Sequence, residues 1–182
     1  MHEAATHNMY YLAVVCPPAI DEQVRTYKQW LLTHFGCKAA LKSPAHITLV
    51  APFWLEATKE PQLLNHLELL QTALLPVEIE LHNFSHFGKK VLFLHVKENE
   101  TLARLQGAAE DHFVQHFPEI KRDQRPFHPH VTLATRDLTP GAFQQAWQRF
   151  SNEKYQAVFT ADRVSLLKLS PGKWNIIAEK KF

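Results

Sequence analysis

Two stretches of the chain repeat the pattern His-x-Thr-Leu: His46-Ile47-Thr48-Leu49 and His130-Val131-Thr132-Leu133. They lie 84 residues apart, and each follows a proline, Pro44 or Pro129. In an extended strand, side chains alternate faces, so each copy puts an imidazole and a hydroxyl on one face and two aliphatic side chains on the other. Imidazole titrates near neutral pH and serves as either acid or base. Two such strands facing one cleft would supply two proton-transfer groups and two hydroxyl donors. Breaking a phosphodiester without metal needs that set: a base for the attacking hydroxyl or water, an acid for the departing oxygen, and donors for the non-bridging oxygens. In average composition, 12 histidines would give about 0.2 such motifs by chance. A doubled motif with matching flanks is therefore a signal.

The elements around the motifs read as two similar halves. Tyr10 to Cys16 is strand-like and is ended by Pro17-Pro18. Val24, Tyr27, Leu31 and Phe35 have helical spacing over Asp21 to Phe35, and Gly36 suits the C-terminal cap. The first motif strand runs from His46 to about Val50, with Pro52 expected to close it. The leucines at 63, 64, 67, 70 and 74 predict a second helix stopped by Pro76. Val77 to Phe84 alternates as a strand. The second half starts again with a strand at Val91 to Val96, a helix marked by Leu102, Leu105, Ala109, Phe113 and Phe117, and the second motif strand at His130 to Ala134. Thr139-Pro140 reads as an N-cap followed by proline at the first helical position. Phe143, Ala146, Trp147 and Phe150 supply that helix's buried face. Val158, Val164 to Leu169 and Trp174 to Ala178 give the last strands, with Ser170 to Lys173 as a turn. Each motif is thus the third element of a β-α-β-α-β half. Two halves about a pseudo-twofold axis would bring the histidines together. With no linker between them, residues 1–182 are expected to form a single bilobal domain, residues 1–9 being a flexible N-terminus.

The 182 residues are 46% hydrophobic and 21% charged, with a net charge of +2 when the histidines are neutral. That balance suits an ordinary globular domain. It is too mild for bulk nucleic-acid binding but leaves room for a local basic pocket. Cys16 and Cys37 have no metal-type spacing and are expected as free thiols in a reducing compartment, against the alternative of a single disulfide. The polar start, Met1 to Asn8, lacks the basic-then-apolar build of a secretory leader, and no apolar run approaches membrane-spanning length. A cytoplasmic, monomeric protein without a membrane partner is expected.

The stretches Pro44 to Phe53 and Phe127 to Ala134 resemble the two signature motifs of the 2H phosphoesterases, also called the 2′-5′ RNA ligase and cyclic phosphodiesterase superfamily. That signature is a pair of His-x-[Thr/Ser]-hydrophobic motifs. The first strand ending in Pro17-Pro18 and the order of helices fit as well, so the resemblance covers most of the chain. It implies an α+β, bilobal fold with antiparallel-rich sheets around a central cleft and catalysis without metal or cofactor. It implies His46 and His130 as acid and base, and Thr48 and Thr132 as phosphate ligands. Members open 2′,3′-cyclic or ADP-ribose 1″,2″-cyclic phosphates, cleave 2′-5′ linkages, or ligate RNA ends, so the expected partner is an RNA end or a nucleotide. We expect His130 to activate water and His46 to protonate the ribose oxygen, and the pseudo-symmetry leaves the opposite assignment open.

Further candidates flank the motifs. Tyr10 and Tyr11 begin the first strand, and one should face the cleft; Tyr11 is the candidate. Phe53, Trp54 and Phe127 could stack on a base, against the alternative of core residues. Lys42, Arg125 and Arg136 could meet phosphate, against the alternative of solvated cations. His112 and His116 have the i,i+4 spacing that can bind zinc. Position 113 is Phe, though, where a zinc protease motif carries Glu, so surface histidines are expected there. With 5 glycines, no phosphate-binding or dinucleotide loop can be built, and no Gly-x-Ser-x-Gly elbow is present. Two rival readings remain: a non-catalytic module that binds a nucleotide or RNA end in the same cleft, and an interaction domain.

Overall fold

The computed structural model describes residues 6–71, 73–74 and 76–182. The N-terminal strand β1 (His7–Val15) begins at His7, so residues 7–9 are strand, paired with Glu56 to Trp54, rather than flexible. The rest of the expected flexible terminus, residues 1–5, lies outside the described residues. Tyr10, Leu12 and Val14 enter the main core, while Tyr11 and Ala13 pack with Leu167 in a second small cluster. Apolar burial on both faces marks an interior strand. Helix α1 (Pro18–Phe35) has proline in its first turn and ends on Gly36 at φ +72°. There the Gly36 N–H donates to Leu32 O at 2.8 Å and Cys37 N–H to Leu31 O at 3.4 Å. That left-handed position favours glycine.

The first motif strand, β2 (His46–Glu56), runs straight through Pro52 instead of stopping there. β2 is an edge strand whose register against β1 slips twice, between Tyr10 and Leu12 and between Leu12 and Ala13. A residue without an N–H is tolerated at an edge bulge, and for that reason Pro52 does not end the strand. The leucine helix is shorter than its periodicity suggests. α2 (Glu60–Leu69) ends where Leu70 turns extended. Leu70 stays buried and Leu74 packs on the core from outside the helix, so the demand for burial outlasts the helix. Then come β3 (Val77–Phe87), β4 (Val91–Val96) and α3 (Glu100–His116), whose Asn99 cap accepts from Leu102 N–H at 2.9 Å. β5 (His130–Ala134) carries the second motif. α4 (Pro140–Phe150) starts as expected, with the Thr139 hydroxyl accepting from Ala142 N–H at 3.2 Å. β6 (Gln156–Ala161), β7 (Arg163–Ser170) and β8 (Lys173–Lys181) complete the chain.

All strand pairs are antiparallel, in two four-stranded sheets ordered β2-β1-β7-β8 and β5-β4-β3-β6. The motif strands are edge strands at matching positions, each beside the first strand of its half. The halves are not self-contained. β3, from the first half, pairs with β4 in the second sheet, and β7 returns to pair with β1 in the first. α1 packs against β5, α3 against β2, and β2 meets β5. One core cluster joins residues of both halves, including Leu12, Leu31, Ile47, Leu94, Phe113 and Val131. Cys16 and Cys37 are free and buried. Among the described residues, no helix is long and apolar enough to cross a membrane.

Candidate active site

Each motif histidine is anchored by its own chain. His46 Nδ1 is 2.7 Å from Pro44 O, and His130 Nδ1 is 2.7 Å from His128 O. A carbonyl only accepts, so Nδ1 carries the proton in both rings and Nε2 is left with the lone pair. The same two-residue reach occurs in both motifs, giving two imidazoles with the same tautomer. The strands carrying them meet, and the charge of a protonated His130 acts on His46. Thr48 pairs across with Ala13 and His46 with Val15, on the face that also holds Tyr11. Thr132 and His130 pair across with Phe93 and His95. All four motif side chains are half-buried. Neither threonine hydroxyl is bonded to another described residue, which leaves both as donors for an incoming anion.

An aromatic ring backs each histidine. Tyr11 lies 4.8 Å from the His46 ring, with its hydroxyl 3.5 Å from Nδ1, and Trp174 stands edge-on to Tyr11 at 4.6 Å. Phe93 lies 4.9 Å and Phe87 5.1 Å from the His130 ring. The surroundings make charging costly. Burial pushes the His46 imidazolium down to about 4, helped by the charges of Lys28 and His130 and opposed by Pro44 O. Burial also lowers His130, opposed by the His128 carbonyl and aided by the charges of His128 and Arg125. Burial raises the Tyr11 phenol, which stays neutral.

Three groups outside the motif hold the turn before His46. Asp21 Oδ1 accepts from Ala45 N–H at 2.6 Å, Lys28 Nζ donates to Ser43 O at 3.0 Å, and Cys16 N–H donates to Ala45 O at 2.8 Å. Lys28 is buried, and burial lowers its ammonium to about 8 against the pull of Asp21. A signal for it was present: Lys28 stands at helical spacing within the apolar stripe of Val24 and Leu31.

The other candidates divide. Tyr11 joins the site. Phe53 does not: β2's register after the bulge turns its ring into the core, 6.0 Å from Tyr10, with 5% exposure and no free face for a base. Phe127 is half-buried against the main core. Trp54 is 55% exposed farther along β2, beyond the bulge. Arg136 is exposed at φ +24°, past the C-terminal end of the strand that His130 begins. Lys42 ends a short 3-10 turn, Ala39–Lys42, before the first motif. Arg125 is held in two hydrogen bonds by Asp123, at 3.0 and 2.7 Å. The rings beside the motif histidines come instead from residues far from either motif in sequence: Phe87 and Phe93 against His130, and Trp174 against Tyr11.

Comparison with known proteins bears on the family and the fold. The family model described as the 2′-5′ RNA ligase superfamily covers residues 16–173. A protein of Geobacillus sp. (strain WCH70) named as a phosphoesterase is 23% identical over 170 residues, spanning 92% of this chain and 92% of its own. E. coli LigT complexed with 3′-AMP superposes with a TM-score of 0.68 at 17% identity, covering 97% of this chain and 99% of LigT. TT0787 of Thermus thermophilus superposes with a TM-score of 0.67 at 17% identity, covering 95% and 97%. The two-sheet architecture is thus the 2H phosphoesterase fold.

Proposed function

The chain belongs to the 2′-5′ RNA ligase superfamily, and from that premise we propose a metal-independent phosphoesterase acting on 2′,3′-cyclic phosphates or 2′-5′ linkages of nucleotides or RNA ends. Superfamily membership supports phosphoesterase activity as a class. The observation that carries the finer reading is the matched pair of Nδ1-anchored imidazoles on meeting strands, each with Nε2 unspent. Two open threonine hydroxyls complete the donor set.

The environments favour one division of labour, opposite to that expected from sequence. His46 is the harder ring to protonate, so it enters as the neutral base; His130 enters as the acid. His46 Nε2 takes a proton from water as the water oxygen bonds to phosphorus. The bond from phosphorus to the ribose oxygen breaks, and His130 delivers its proton to that oxygen. Thr48 and Thr132 donate to the non-bridging oxygens, where charge builds up. The bound phosphate anion favours the protonated form of both rings and offsets their desolvation. The 3′-AMP held by LigT supports a nucleotide as substrate. A 3′-phosphate product here would mean that the 2′-oxygen departs. Core packing shared by both halves supports a single bilobal domain.

The test is turnover of a panel of 2′,3′-cyclic nucleotides and 2′-5′-linked dinucleotides in excess EDTA, by the wild type and by His46→Ala and His130→Ala. Turnover is expected in the wild type and lost in each variant. Persistent turnover in either variant removes that histidine from the mechanism. Tight nucleotide binding with no turnover would replace the enzyme with a binding module.

A further inference from the structure

A second histidine cluster lies away from both motifs. His66 is in the last turn of α2, and His112 and His116 are in the last two turns of α3. One ring nitrogen from each can be chosen so that all three lie within 4.8 Å of one another. We propose that these residues bind a divalent transition ion of the zinc class, clipping α2 to α3 outside the catalytic cleft. Helical spacing made His112 and His116 visible as a pair. The fold supplies the third ligand from 46 residues away and changes the expectation of surface histidines.

The spacing fits a tetrahedral ion. Two nitrogens bound to zinc at about 2.0–2.1 Å stand about 3.3 Å apart along a tetrahedral edge. His66 Nδ1 and His112 Nε2 are 3.3 Å apart. His116 Nδ1 donates to His112 O at 2.7 Å, which leaves Nε2 with the lone pair. A backbone carbonyl holding the far nitrogen is the usual support of a metal-bound imidazole. The His116 ring lies 4.2 Å from that of His66 and 4.8 Å from that of His112. His66 and His112 are half-buried and His116 is exposed, so an ion has a route in and rigid ligands to meet.

The donor chemistry selects the ion. The cluster is all imidazole, and the neighbouring acids Glu110 and Asp111 are both paired with Arg122. Three neutral nitrogen ligands suit zinc, copper, nickel or cobalt and not the oxygen-seeking magnesium or calcium. Three protein ligands leave a fourth position for water. Without metal, His112 Nε2 lies 3.0 Å from His66 O as an N–H donor. Binding needs that lone pair, so the His112 proton shifts to Nδ1 and the His66 carbonyl is released.

The experiment uses the full chain, free of any affinity tag and stripped with EDTA, titrated with ZnCl2 by calorimetry and with CoCl2 by visible absorption. One equivalent of each ion is expected, with the strong visible bands of tetrahedral Co2+. The site should persist in His46→Ala/His130→Ala and vanish in His112→Gln/His116→Gln. Since His116 is exposed, His116→Gln alone keeps the fold and should weaken Zn2+ at least about tenfold. Turnover in EDTA should be unchanged in both glutamine variants, separating this site from the proposed catalysis. No binding by the wild type, binding that survives the double glutamine variant, or binding lost with the cleft histidines would each overturn the proposal.

Discussion

His46 should give the protein a specific weakness to acid. Its folded ring protonates near 4, against the ordinary 6.5 of an exposed histidine. As pH falls, the unfolded chain takes up this proton first, so each step below about 6.5 favours unfolding until the folded ring also protonates. The stability contributed by neutral His46 is therefore complete above about pH 6.5 and is lost between there and about pH 4. The distance between the two values is worth about 3 kcal/mol, of which about 2 kcal/mol is lost between about pH 7 and about pH 4.5. The assay is urea unfolding at both pH values for wild type and His46→Asn, whose amide can still donate to Pro44 O. The other histidines lowered by burial, among them His130, His95, His66 and His112, largely cancel in the comparison. The wild type should lose about 2 kcal/mol more than the variant. Saturating inorganic phosphate should shrink that difference, because an anion beside the ring favours its charged form. Equal losses to within about 0.5 kcal/mol would refute the claim that the site holds His46 neutral by desolvation, and the assignment of base and acid would lose its footing.

Three further outcomes are expected. With both motif histidines lowered, kcat/KM on a 2′,3′-cyclic nucleotide should trace a bell peaking below about pH 6.5; a maximum at about pH 8 would reject the two-histidine assignment. Thr48→Val and Thr132→Val should each cost about 2–4 kcal/mol of transition-state stabilisation if the hydroxyls serve as phosphate donors, read as kcat/KM, and an unchanged rate removes that role. Asp21→Ala should leave the buried Ala45 N–H unpaired at about 1–3 kcal/mol of stability. It should also lower kcat more than it raises KM; an unaltered kcat would confine Asp21 to supporting the fold.

The motifs were legible because their information is local. The alternation of His46, Ile47 and Thr48, and of His130, Val131 and Thr132, is enough to define a strand and its two faces. The Thr139 cap and Gly36 stop were equally plain, since capping is decided within a few residues. What escaped depends on distant partners. Pro52 reads as a terminator until β2 is known to be a bulged edge strand, and that bulge then sends Phe53 to the core. The run to Leu74 reads as helix until Leu70 is seen to reach the core in extended form. Asp21 and Lys28 look like surface charges until the turn before His46 folds onto α1. His66 carries no signal at all without α3 beside it.

The exchange of strands between halves bears on how the chain comes to life. β1 finds one neighbour in β2, the next strand along the chain. Its other edge waits for β7, where Tyr10 comes to lie opposite Lys168. Until then an apolar strand bound for the interior of a sheet has an open flank, the kind of edge that recruits foreign strands. Contacts so distant in sequence slow folding. They also impose an order: the first motif strand cannot meet the second until β5 has been made. A chain cut short before β5 would carry His46 without His130. The meeting of the two motif strands is therefore a late contact, one that joins segments far apart in the chain.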